Sequence, residues 1–180
     1  MTKVGIVVGS IREGSFSGRL AKALVDLLPE GYEATYLQID NLPLYNQDSD
    51  ENSPQEYVDF RNEVAAQDAI IFVTPEHNRS VPATLKNALD VASRPYGDNK
   101  WGGKPALVAS QSPGVISGFG ANHHLRQMLT FLDVPTVQQP EVYIAETHEL
   151  LGENGEFLKD GTEGFLQSAV DALVGLVDRQ

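Results

Sequence analysis

Residues 9 to 17 read GSIREGSFS, a glycine followed by three serines and one arginine at the end of a short apolar run. Gly9 lets the backbone leave a strand sharply, and Ser10, Ser15 and Ser17 add hydroxyl donors to a row of backbone N–H groups. A helix beginning near Ser17 would add the positive end of its dipole, which gives the stretch the chemistry of an anion cradle. Triphosphate loops carry a lysine where Ser15 stands, together with a magnesium-binding Ser or Thr. Without that lysine a single terminal phosphate is the better guest, and Arg12 either makes one charge-assisted contact or faces water. A dinucleotide fingerprint is also missing. Gly5 and Gly9 are wrongly spaced for it, and Gly118 and Gly120 are followed by His123 where the third glycine belongs. The competing reading of the stretch is a serine-rich helix cap with no ligand.

Two more loops have chemical potential. TPEHNRSVPATLKNALDVASRP, residues 74 to 95, opens polar and turn-rich after an apolar run, and Ser80 ahead of Val81 and Pro82 reads as a helix N-cap. Its free backbone groups suit one edge of a flat heterocycle, or simply connect a strand to a helix. SQSPGVISGFGANHHLRQ, residues 110 to 127, holds Pro113, Gly114, Gly118 and Gly120, which allow close backbone approach to a planar ligand or make a flexible loop. Phe119 either stacks on such a ring or packs in a core or interface, and packing is favoured. His123 and His124 are adjacent and cannot form an i, i+4 zinc pair, while His77 and His148 lack a neighbouring ligand motif. Asp48, Asp50 and Glu51 read as a solvated acidic patch, and Asp40 as a loop residue, so no metal site is expected.

Positioning these loops requires strands that end just before them. VGIVVG (4–9), ATYLQI (34–39), AIIFVT (69–74) and PALVAS (105–110) are strand candidates, and VPTVQQPEVYIA (134–145) contains a fifth. Helical stripes lie between and after them: Leu20, Leu24, Leu27 and Leu28; Tyr57, Phe60 and Val64; Leu85 and Leu89; Leu125, Met128, Leu129 and Leu132; and Phe165, Ala169, Leu173 and Leu176. Pro29 and Gly31, Ser53-Pro54 and Arg94-Pro95 punctuate the boundaries, DGTE (160–163) reads as a turn opening the last helix, and GENGEF (152–157) as a surface turn. Strands alternating with helices predict an α/β doubly wound sandwich of three layers. Such a sheet places its ligand beyond the carboxyl ends of the strands, where the loops after strands one, three and four lie.

Composition narrows the function classes. The 180 residues carry 25 acidic side chains against 13 Lys plus Arg, a formal charge of -12 with the cations scattered, which argues against a nucleic-acid backbone as partner. The absence of cysteine removes disulfides, thiolate nucleophiles, Cys-ligated zinc and iron–sulfur clusters. The chain enters its first apolar run without the features of a secretory signal, and no window approaches eighteen apolar residues, so a cytoplasmic protein without a membrane partner is expected.

GSIREGSFSGRLAKAL, TPEHNRSVPATLKNALDVASRP and GVISGFGANHHLRQML, in this order and spacing, resemble the flavodoxin-like NAD(P)H-dependent FMN reductases, a family that includes quinone, chromate and azo-dye reductases. The similarity covers essentially the whole chain. It implies one flavodoxin-like domain over residues 1–180, a sheet in the order 2-1-3-4-5, FMN as cofactor and NADPH or NADH as hydride donor. By the same resemblance Ser10, Arg12, Ser15 and Ser17 hold the FMN phosphate, with Phe16 among the cofactor-binding residues. Pro75, Glu76, His77, Asn78 and Ser80 border the isoalloxazine and ribityl, the backbone of Glu76 mattering more than its carboxylate, and Ser112 and Gly114 touch the ring. No catalytic side chain is implied, because the flavin carries hydride from nicotinamide to a small-molecule electron acceptor in ping-pong fashion. Two departures stand out. His77 replaces the family's usual tyrosine, and ISGFG replaces adjacent glycines followed by a basic residue, which bears on the flavin's surroundings and on NADH against NADPH preference. A homodimer or homotetramer is also implied, with Tyr96, Trp101, Phe119 and Phe131 serving either that contact or the core. The acidity suits an alternative, a flavodoxin-type electron carrier without its own NAD(P)H turnover, and a flavin-free phosphate-binding regulator is a third.

Overall fold

The computed structural model describes residues 1–179. Five parallel strands, β1 (Thr2–Val8), β2 (Tyr32–Tyr36), β3 (Ala69–Thr74), β4 (Ala106–Gln111) and β5 (Val142–Ile144), form one sheet in the order 2-1-3-4-5. The central strands are apolar on both faces because both faces are covered. In β3, Ala69, Ile71 and Val73 enter one core while Ile70 and Phe72 enter the other. The first core lies under α1 (Phe16–Asp26) and α6 (Thr162–Val177), and the second under α2 (Gln55–Ala65), α3 (Ala83–Ala92) and α4 (Phe119–Phe131). A four-residue α5 (Thr147–Leu150) and a 3-10 turn at Gln47–Ser49 lie outside the five predicted helices.

The differences from expectation are local. β2 starts two residues early, pairing Tyr32 with Thr2, and its pairing ends at Tyr36 opposite Ile6. Leu37 and Ile39 are buried all the same, so their apolarity reports the core beside the sheet and not a strand. In α6, Ala169 and Leu173 of the predicted stripe are buried together with Leu166 and Val170, Leu176 is partly buried against the same core, and Phe165 is exposed. The 152–157 turn lies at the surface as expected, with Glu153, Asn154 and Glu156 exposed, but it is docked on α1: a Cβ on Gly155 would lie 3.0 Å from the backbone N of Ala23 and the carbonyl O of Arg19. Trp101 belongs to the core, fully buried between Phe60 and Phe72 with its indole N–H donated to the Leu89 carbonyl at 3.1 Å. Tyr96, Phe119 and Phe131 are exposed.

Candidate active site

The carboxyl ends of β1, β3 and β4 open into a cleft of about 570 Å3 lined by Ser10, Arg12, Ser15, Phe16, Pro75, Glu76 and His77 of the predicted set. That volume falls within the range of small-molecule and cofactor sites. The remaining lining comes from Gly9, Ile11, Pro82, Ala83, Thr84, Gln111 and Pro113. Gly9 sets the floor. A Cβ there would lie 3.2 Å from Leu85 Cδ2 and 3.3 Å from Thr74 Oγ1, so any larger residue would crowd these side chains where the first loop meets the end of β3.

Ser15 is the N-cap of α1, its Oγ accepting the Gly18 N–H at 3.1 Å. This uses one lone pair and leaves the hydroxyl proton available to a ligand. The first-turn amides of Phe16 and Ser17 have no carbonyl within the helix to bind, which is the usual origin of an anion site at a helix start. Arg12 is exposed, within 5.9 Å of the Phe16 ring centroid, and Arg19 sits over the same ring at 4.9 Å. Ser17 lies behind the wall, fully buried, with its Oγ accepting from Gln111 Nε2 at 2.9 Å.

On the second loop, His77 and Ser80 exchange both backbone hydrogen bonds at 2.9 Å across Asn78 (φ 50°) and Arg79 (φ 66°), a tight two-residue reversal that asparagine tolerates well. The predicted Ser80 cap therefore does not form. Pro82 occupies the cap position without a side-chain bond, and the Ser80 hydroxyl instead lies 3.0 Å from His124 Nδ1. Asn78 and Ser80 line a neighbouring hollow of about 750 Å3 that shares His77 and Ala83 with the cleft. The Glu76 carboxylate spans two loops: Oε2 accepts the Ala121 N–H at the start of α4 (3.1 Å), and Oε1 accepts from Arg79 (3.1 Å). Gly120 makes this approach possible, since a Cβ there would sit 2.9 Å from both the Arg79 carbonyl O and Glu76 Oε2. The ISGFG departure thus has a steric reason: Gly118 takes φ 71° as the cap of α4 and Gly120 meets the second loop.

On the third loop Ser112 and Gly114 lie outside the cleft lining, where Gln111 and Pro113 take part instead. Ser112 Oγ accepts the Gly114 N–H at 3.0 Å and so braces its own turn. Beyond it, Phe119 packs 4.2 Å from the His123 ring and 5.4 Å from Tyr143, whose hydroxyl is 3.0 Å from His123 Nε2. Burial, then the hydrogen bond and charge of Glu141, push the Tyr143 phenol above its ordinary pKa, so it stays neutral through physiological pH. Of the residues that sequence reasoning did not assign to the site, Gln111 had a readable signal, an amide ending a buried and mostly apolar strand. Ile11, Ala83 and Thr84 had none, because their exposure to the cleft follows from how the loops fold over. No group of three His, Asp or Glu residues arranged to hold a metal occurs among the described residues.

A parallel sheet in the order 2-1-3-4-5, with an amide- and hydroxyl-lined cleft where β1 and β3 diverge, defines a flavodoxin-like protein, whose fold takes FMN at that place. The cleft suits that group: neutral donors and one arginine at the helix start for a dianionic ester, and flat apolar walls at Pro75, Pro82, Ala83 and Pro113 for a ring. The profile of the NADPH-dependent FMN reductase family matches residues 2–149. A quinone reductase of Pseudomonas putida is 50% identical over 97% of this chain and 94% of its own. A 2-hydroxy-1,4-benzoquinone reductase of a Burkholderia species is 41% identical over 94% of this chain and 92% of its own. The solved structure of a flavoenzyme NAD(P)H:(acceptor) oxidoreductase from Paracoccus denitrificans superposes with a TM-score of 0.93 at 37% identity, covering 99% of this chain and 98% of that one. The chain belongs to the NADPH-dependent FMN reductase family and is an NAD(P)H-dependent flavin oxidoreductase.

Proposed function

We propose that the protein is a quinone reductase, taking two electrons from NAD(P)H through bound FMN and delivering them to a small quinone, and that residues 1–180 act as one FMN-binding unit. The observation that carries this is the cleft itself, a monophosphate cradle without lysine next to flat walls, in a chain half identical to a quinone reductase. The FMN supplies the chemistry by accepting hydride from nicotinamide and passing it to the acceptor. The protein supplies placement. In this reading the amides of Phe16 and Ser17, the hydroxyls of Ser10 and Ser15 and the guanidinium of Arg12 hold the phosphate. Pro75, Glu76 and His77 border the ring, and the reversal at Asn78 and the following Ser80 shape the side where nicotinamide and acceptor alternate. Ser112 and Gly114 act from behind, by holding Pro113 against the ring. Backbone N–H groups aimed at the ring would stabilise negative charge on it, so the reading calls for no acid or base side chain.

Tyr96 and Phe131 are respectively 92% and 89% exposed, and they suit a homodimer or homotetramer contact. NAD(P)H as donor fits a cytoplasmic setting, and no helix among the described residues is long and apolar enough to cross a membrane. The absorption spectrum of the purified protein tests the proposal. Flavin bands that bleach with NADH or NADPH and return when a benzoquinone is added support it. A flavin that NAD(P)H does not reduce would make the protein an electron carrier instead, and a preparation that takes up no flavin would overturn both readings.

A further inference from the structure

Gln111 ends β4 and lines the cleft although it is only 4% exposed. Both ends of its amide are engaged. Nε2 donates to Ser17 Oγ at 2.9 Å, and Oε1 accepts from Thr147 Oγ1 at 3.1 Å. Thr147 is fully buried at the start of α5: its backbone N–H bonds the Ser112 carbonyl at 3.3 Å, and its one hydroxyl proton has Gln111 Oε1 as the nearest of three acceptors, ahead of the Ser112 carbonyl at 3.2 Å and the Ile144 carbonyl at 3.4 Å. The three side chains form a buried chain from the first turn of α1, across the end of β4, to the segment after β5.

An amide nitrogen carries two protons, and Ser17 takes one. No acceptor among the described residues takes the other. Leaving such a donor unmade in a buried place costs about 1–3 kcal/mol, so it is matched to whatever fills the cleft. The hydrogen bond to Ser17 holds the nitrogen that carries this donor 2.9 Å from a first-turn residue of α1, beside the helix start where the unpaired amides gather, and Gln111 lines the same cleft as Ser10, Arg12 and Ser15. A methionine here would offer no proton, and a glutamate would set a negative charge beside an anion.

Resting on the FMN assignment above, we infer that Gln111 is a hydrogen-bond donor to the phosphate end of the flavin, and that Thr147 is the positioning residue that fixes its amide. FMN and riboflavin differ only in that phosphate, so the two ligands separate this role from a general one in folding. Dissociation constants for both would be measured by flavin fluorescence on the full-length apoprotein, with the 31P shift of bound FMN as a second readout. Gln111→Met is expected to weaken FMN by about tenfold or more, as for a lost bond to a charged group, and riboflavin by less than about twofold. Thr147→Val, which keeps the amide but frees it, is expected to weaken FMN by about threefold with riboflavin unchanged, a smaller step of the kind seen when a hydrogen bond is loosened and not deleted. The 31P resonance moves in both variants. Equal losses for the two flavins, or no change in FMN affinity in a folded Gln111→Met protein, overturn the inference while leaving the cradle intact. Wild-type protein that fails to prefer FMN over riboflavin overturns the cradle and this inference together.

Discussion

Removing the Glu76 carboxylate is expected to loosen the cleft by separating the two loops it joins. Its side chain is 13% exposed and accepts the first-turn amide of Ala121 at 3.1 Å, while the Arg79 partner on its other oxygen is 70% exposed. The two bonds are unequal. The exposed ion pair contributes about 0–1 kcal/mol, whereas a charge-assisted bond to a helix start contributes about 1.5–3 kcal/mol. Glu76→Ala is therefore expected to cost about 2–3 kcal/mol, and for a chain of this length that lowers Tm by about 4–12 °C. Glu76→Gln keeps an acceptor for Ala121 and loses only the charge, so about half the drop is expected. Thermal unfolding followed by circular dichroism reads this directly, and flavin titration of the same samples should show weakened binding in the order Ala, then Gln, then wild type. A Glu76→Ala protein that melts within 1 °C of wild type, with unaltered flavin affinity, would refute the argument that the Glu76 carboxylate braces the two loops.

Gly120→Ala, a change that ordinarily stabilises a helix by up to about 1 kcal/mol, is expected to destabilise here by about 1–3 kcal/mol, because the new Cβ meets the Arg79 carbonyl. A chemical denaturation series gives the sign. Ser15→Ala removes both the α1 cap and a donor to the phosphate, so a loss of about 1 kcal/mol in stability should accompany a loss in FMN affinity that riboflavin does not share. Ser15→Lys should also weaken FMN retention, since the long cation displaces the cap; unchanged FMN binding in both variants would place the phosphate elsewhere. Phe131→Glu is expected to shift the protein to monomers in light scattering without lowering Tm, because the side chain is 89% exposed within one subunit; a wild type already monomeric at micromolar concentration rules this contact out.

The layers were legible because they follow from periodicity. A strand covered on both faces must be apolar throughout, and a helix lying on it must carry a stripe, so β1, β3 and β4 and the faces of α1 to α4 could be read from residue order alone. The first loop's place in the cleft was legible for a different reason: only a few residue types can turn a chain off a strand and offer donors to an anion, and Gly9, Ser10 and Ser15, which line the cleft, are among them. What stayed hidden depends on distances between segments far apart in sequence. Ser80 has the composition of an N-cap, yet the reversal through Asn78 and Arg79 takes its hydroxyl to His124 and leaves the cap to Pro82. The carboxylate of Glu76 finds an amide 45 residues away, and Gln111 finds Ser17 at a separation of 94. Such pairings leave no period in the sequence, because each is a single contact between loops whose positions are set by the sheet. The same physics explains why Gly120 reads as mere flexibility until its neighbour is known: its missing Cβ is an accommodation to the Arg79 backbone, and only the folded approach of the second and third loops gives that absence a meaning.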